Sequence, residues 1–165
     1  MSAYAAGEWN DFCVAVLGAA AALSGLLFAS IAINIERIMA DPELPARALQ
    51  TLIFFGTPVV LCICMLTPHQ PRGALGAELI VTGAFAGTLL LRTSWPSRRS
   101  DVEPRAGWLL TRFLASLLVS LFLVVAGITL IAQAGGGLYW TAPATLVAVL
   151  AGLTNSWVLL VEILR

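Results

Sequence analysis

The chain has 165 residues, 59% apolar and only 11% charged, and its nine basic and nine acidic side chains cancel. Soluble domains carry about 25% charged residues, so this composition, with a mean hydropathy of +0.93, reads as a single transmembrane domain over 1–165. All the basic residues are Arg and there is one His, which excludes Schiff-base lysine chemistry, bis-His haem and facial-triad iron; zero net charge argues against nucleic acid as a partner.

About 20 apolar residues are needed to cross a hydrocarbon core of ~30 Å. Five stretches meet this. The first, 12–33, is interrupted only by Ser24 and Ser30. The second, 48–66, holds Thr57 and Pro58 near its centre, where the missing N–H of proline predicts a kink. The third, 73–91, carries Glu78, and the fourth, 108–132, carries Arg112. The fifth, 141–164, opens on Thr141-Ala-Pro143 and holds Asn155 and Glu162. The expected fold class is an all-α polytopic bundle of five transmembrane helices. Between the spans, Asp41-Pro-Glu-Leu-Pro45 reads as a connector and helix start, and 93–107 as a cytoplasmic loop with a capping box at Ser100 and Glu103. Neither is long enough for a catalytic domain, and no internal repeat of the transporter kind is present, so the expectation is a protein that is not an enzyme and needs no cofactor.

Five crossings put the termini on opposite sides. One side receives only Arg72; the other receives Arg37, Arg47, Arg92, Arg98, Arg99, Arg105, Arg112 and Arg165, which predicts an outside N-terminus and a cytoplasmic C-terminus. Trp9 and Trp140 then fall at the outer interface, Trp95 and Trp108 at the inner one. The first ten residues lack a basic n-region and a cleavage site, so the first span reads as a retained anchor.

Small residues mark helix-packing faces in lipid. At about 100° per residue, Asp11, Ala15, Gly18, Ala22, Gly25, Ala29, Ala32 and Glu36 form one stripe of the first span, expected to face protein. Gly76, Gly83 and Gly87 form another on the third, with Glu78 and Thr82 nearly opposite. The fourth span offers Arg112, Ser116, Ser120 and Gly127; the fifth offers Ala144, Ala148, Ala151, Asn155 and Glu162, leaving Trp157 toward lipid.

A charge near the bilayer centre costs at least ~2.5–3.5 kcal/mol, so each ionisable group in a span needs a partner or a purpose. Arg112 and Glu162 enter at similar depth on consecutive spans and are expected to pair, with Asn155 as a polar neighbour. Glu78 is expected either to hydrogen-bond a neighbouring helix, with Gln133 the candidate, or with Thr82 to form a proton or cation site. Cys62, Cys64, Met65 and His69 offer thiol, thioether and imidazole donors suited to a soft metal, and Cys13 lies within reach of Cys62 or Cys64 for a disulfide if the first two spans are adjacent.

The stretch Glu8-Trp-Asn-Asp-Phe12, with Gly25-Leu-Leu-Phe-Ala-Ser-Ile-Ala-Ile-Asn-Ile-Glu-Arg37, resembles the start of uncharacterised small bacterial multi-spanning inner-membrane proteins, some labelled modulators of a membrane-bound protease. The resemblance covers the first half of the chain, carries no catalytic motif and implies a multi-pass location in a bacterial inner membrane. The functional expectation is action by self-association, as a homo-oligomer, or as an accessory subunit of a larger membrane complex. A small homo-oligomeric channel using Glu78 and a soft-metal or redox site at the outer end of the first two spans are the alternatives.

Overall fold

The structure, a computed structural model, describes residues 3–41, 43–94 and 109–163, and of 109–111, 162 and 163 the backbone alone. Among the described residues it is all-helical, with five helices long and apolar enough to cross a membrane. These are α1 (Asn10–Ile33), α3 (Leu44–Leu66), α4 (Arg72–Thr93), α5 (Ala115–Ala132, entered through a π-helical stretch at Leu109–Leu114) and α6 (Thr141–Ile163); a short α2 (Ile35–Ala40) joins the first two. The 93–107 loop from residue 95 onward, with its expected capping box, Trp95 and Trp108, lies outside the described residues, as does the C-terminal Arg165.

The bounds differ most from expectation at α3, which starts four residues before 48. Asp41 Oδ1 accepts from the backbone N–H groups of Glu43 (2.7 Å) and Leu44 (3.3 Å), and Pro45 sits in the first turn, where a missing N–H costs nothing. The extra turn includes Arg47, which is buried rather than left at the boundary. Pro58 lies within the helix, which continues through it.

Helices α3, α4, α5 and α6 form a closed ring in which each packs on the next and α6 returns to α3. Helix α1 stands outside this ring against α3. Accordingly, half of the most apolar window of α3 is buried, but only 17% of that of α1. The main core is filled by Phe54, Leu61, Leu79, Val119, Leu123 and Leu130.

The tightest seam is α4 on α5, and glycine explains it. A Cβ at Gly83 would stand 2.9 Å from Leu123 Cβ and 3.1 Å from Ser120 O; one at Gly127 would strike the carbonyl of Gly76. The two backbones therefore touch, with Ser120 Oγ donating across the seam to Gly83 O at 2.9 Å. On α6, Ala144, Ala148, Ala151 and Asn155 are buried and Trp157 is exposed, the face read from the sequence.

At the end of the bundle bearing the N-terminus, Gln133 closes α5 in the left-handed region (φ 53°), and Gly135, Gly136 and Gly137 continue the turn at positive φ. The segment before α1 docks on this turn: Leu138 N–H donates to Ala3 O at 2.7 Å, and the Gly136 N–H to the Tyr4 hydroxyl at 3.4 Å. A side chain at Gly137 would strike Ala3 O, so glycine is required for the contact. Trp9 packs edge-on against Phe12 and Tyr139, and Phe122 stacks on Trp140. Trp9 and Trp140 thus share one end, in an aromatic cluster of the kind that sits at a membrane–water boundary.

Candidate functional site

Three groups of side chains stand apart from ordinary apolar packing. The first lies at the Arg-bearing end of the ring. Arg112, 2% exposed, donates through Nε to Gln50 Oε1 (2.8 Å) and through Nη2 to the Thr93 carbonyl (3.0 Å). Gln50 Nε2 donates to Ser94 Oγ (2.7 Å) and Ser116 Oγ (3.3 Å), and Ser116 in turn bonds the Arg112 carbonyl. Three helices, α3, α4 and α5, are thereby joined through one guanidinium and one amide, which meets the requirement that buried polar groups be bonded. The π-helical turn carrying Arg112 opens the entry of α5 at this network. The expected Arg112–Glu162 pair falls on a side chain outside the described residues. Asn155 is 1% exposed on α6, and its Nδ2 has no hydrogen-bond partner among the described residues. Sequence reasoning found Arg112, Ser116 and Asn155 but missed Gln50 and Ser94. Each sits one turn or less from a span boundary, where a polar residue looks like ordinary interface.

The second group is Glu78 with its surroundings. Glu78 is half-buried on α4, near the Cys64 thiol of α3. Gln133 is not its neighbour. That residue terminates α5 at an exposed position, because the chain turns there instead of extending the helix. Thr82, one turn deeper, lines an open groove of about 370 Å³ between α3 and α4, walled by Ile53, Val60, Val81, Phe85 and Leu89. The Thr57 hydroxyl on the same wall is spent on the Ile53 carbonyl (2.7 Å). The groove is therefore shaped for hydrocarbon, not for a hydrated ion.

The third group holds the sulfurs. Cys62, Cys64, Met65 and His69 do not converge. Positions two apart on a helix diverge by about 200°, so Cys64 turns to Glu78 while Cys62 and Met65 turn to α1. His69 is exposed in the turn beyond α3, at φ 57°. Met65 and Cys62 instead meet Cys13: its Sγ donates to Met65 Sδ at 3.8 Å, and the three share one buried cluster. All three cysteines are free thiols.

The small-residue stripes separate into two kinds. Gly83 and Gly87 pack inside the chain, against Leu123 and Ser120. Gly18, Ala22 and Gly25 do not face the bundle; they are exposed with Ala15, Ala29 and Ala32, and a Cβ at Gly18 or Gly25 would meet nothing within 4 Å. Helix α1 is turned nearly opposite to expectation, burying Cys13, Ala20 and Leu27 at heptad spacing, with Cys13 against Met65 of α3 and Leu27 in a cluster with Phe55.

No protein-family model matches the chain, and neither a curated protein nor a solved structure does.

Proposed function

We propose that this protein is a non-enzymatic, multi-pass component of a bacterial inner membrane that acts by associating with a second copy of itself through α1. The observation that carries this reading is the outward stripe of Gly18, Ala22 and Gly25 on the one crossing that stands outside the ring. Lipid tails gain nothing from small residues, whereas two such faces let helix backbones approach closely. A face that is small along its length complements its own copy, which suits a two-fold interface. The N-terminus is placed outside: Arg37, Arg47, Arg92 and Arg112 gather at the opposite end of the bundle, which supports a cytoplasmic position for that end. Cross-linking and mass measurement in lipid nanodiscs test the association. Gly18→Leu and Gly25→Leu are expected to shift the wild-type dimer to monomer, and a wild type that is monomeric at every protein-to-lipid ratio refutes the reading. Recovery of a stable complex containing a different protein in place of the second copy refutes self-association specifically.

A channel reading has in its favour a half-buried carboxyl inside a span, Glu78. The apolar walls of the Thr82 groove weigh against it, because they offer an entering ion nothing to replace its hydration.

A further inference from the structure

At the N-terminal end of α1 and the C-terminal end of α3, three sulfur atoms from two helices meet in the main core. Cys13 is 1% exposed, Cys62 is fully buried and Met65 is 3% exposed. Buried cysteine and methionine are common as plain packing groups, and as such their sulfurs need not face one another. Here Cys13 Sγ faces Met65 Sδ at 3.8 Å, and Cys62, three positions before Met65 on the same face of α3, is buried in the same cluster.

We propose that Cys13, Cys62 and Met65 form a three-sulfur binding site for a soft monovalent metal ion, Cu(I). Three arguments lead to it. The first is geometric: a trigonal ion with metal–sulfur bonds of about 2.3 Å holds its ligands about 4 Å apart, and the Cys13–Met65 separation is 3.8 Å without any movement of the helices. The second is chemical. Thiol and thioether donors select Cu(I), and among the described residues no three His, Cys, Asp or Glu side chains converge to offer a site for a harder ion. The third is electrostatic. As Cu⁺ binds, one thiol releases its proton to water, a Cu–S bond replaces an S–H bond, and no oxidation state changes. One thiolate, one thiol and one thioether around one Cu⁺ carry no net charge, which an apolar core tolerates; a divalent ion on the same donors reaches neutrality only when both thiols give up their protons.

Access is also built in. A cleft of about 340 Å³ opens at this end of the bundle, and Met65 forms part of its floor. His69, Gln70 and Asn10 line the same cleft, so an ion entering it meets an imidazole and two amides beside Met65. His69 belongs to the route and not to the site, in contrast to the grouping suggested by sequence proximity alone.

The test is anaerobic titration of the full chain in lipid nanodiscs with Cu(I), in competition with the chromophoric chelator bicinchoninate. Wild type is expected to withdraw one ion per chain. Cys64→Ser, which changes a thiol facing Glu78, is expected to bind as wild type does; Cys13→Ser and Cys62→Ser are expected to lose at least about 10- to 100-fold in affinity, the loss usual for disturbing even an outer-shell group. Thermal unfolding of each variant without metal separates lost binding from lost folding. X-ray absorption on the wild-type complex gives a readout that needs no variant: about three sulfur neighbours at about 2.3 Å are expected. Nitrogen or oxygen neighbours, undiminished binding in Cys13→Ser, or failure of the wild type to compete with the chelator overturns the site.

Discussion

Replacing Gly83 by alanine adds one methyl group at the closest approach of α4 and α5. The new Cβ would stand 2.9 Å from Leu123 Cβ, 3.1 Å from Ser120 O and 3.1 Å from Val124 N. Two of these are backbone atoms and the third is fixed to the backbone, so no side chain can rotate away and the helices themselves must separate. Overpacking of this kind costs about 1–3 kcal/mol. Stretching the Ser120–Gly83 hydrogen bond adds about 0.6 kcal/mol, the average found for such bonds between membrane helices. Alanine's better helix propensity returns about 0.5–1 kcal/mol. The net expectation is a loss of about 1–3 kcal/mol. Gly18→Ala offers the matched control, since its Cβ meets nothing within 4 Å and only the propensity gain of about 0.5–1 kcal/mol remains. Reversible unfolding in mixed micelles, at a dilution where the chain is monomeric, compares the two. If Gly83→Ala is as stable as Gly18→Ala, the backbone contact assigned to α4 and α5 is wrong.

Gln50→Leu removes the amide that bonds Arg112, Ser94 and Ser116, and is expected to cost about 1.5–3 kcal/mol, the range for a hydrogen bond to a charged group; the same unfolding assay reads it, and an unchanged midpoint refutes the role given to the network. Ser2→Cys in a background lacking the native cysteines is expected to label from outside intact cells and Ser97→Cys is not, and the reverse pattern overturns the orientation. Proteoliposomes are expected to show no proton or cation flux for either wild type or Glu78→Gln. Wild-type flux that Glu78→Gln abolishes would establish the channel reading.

The five crossings were legible because an apolar run of sufficient length has few alternatives in a chain this hydrophobic. Their ends were less so. Arg47 looked like a boundary and is instead the inside of α3, since hydropathy scores an arginine alike whether its guanidinium is buried or solvated. The stripes of small residues were legible as stripes, but nothing in α1 says whether the partner of Gly18 is α3 or another chain; only the docking of Cys13, Ala20 and Leu27 on α3 decides the rotation. The sulfur cluster illustrates the same limit. Cys62 and Met65 are three apart and so share a helix face, whereas Cys13 comes from a separate helix, and its place beside them is a tertiary fact.

The latch between Tyr4 and Gly136 spans 132 positions of sequence. During synthesis, at roughly 5–20 residues per second, α1 therefore waits on the order of 7–26 s for the turn that will hold its leading segment. Through that interval its only broad support is α3, the next crossing to be made. The latch can close only once the turn after α5, which carries Gly136 and Leu138, has been made. A chain truncated before Gly136 would lack both bonds of the latch and leave the segment ahead of α1 untethered, with α1 held to the rest of the chain chiefly through α3.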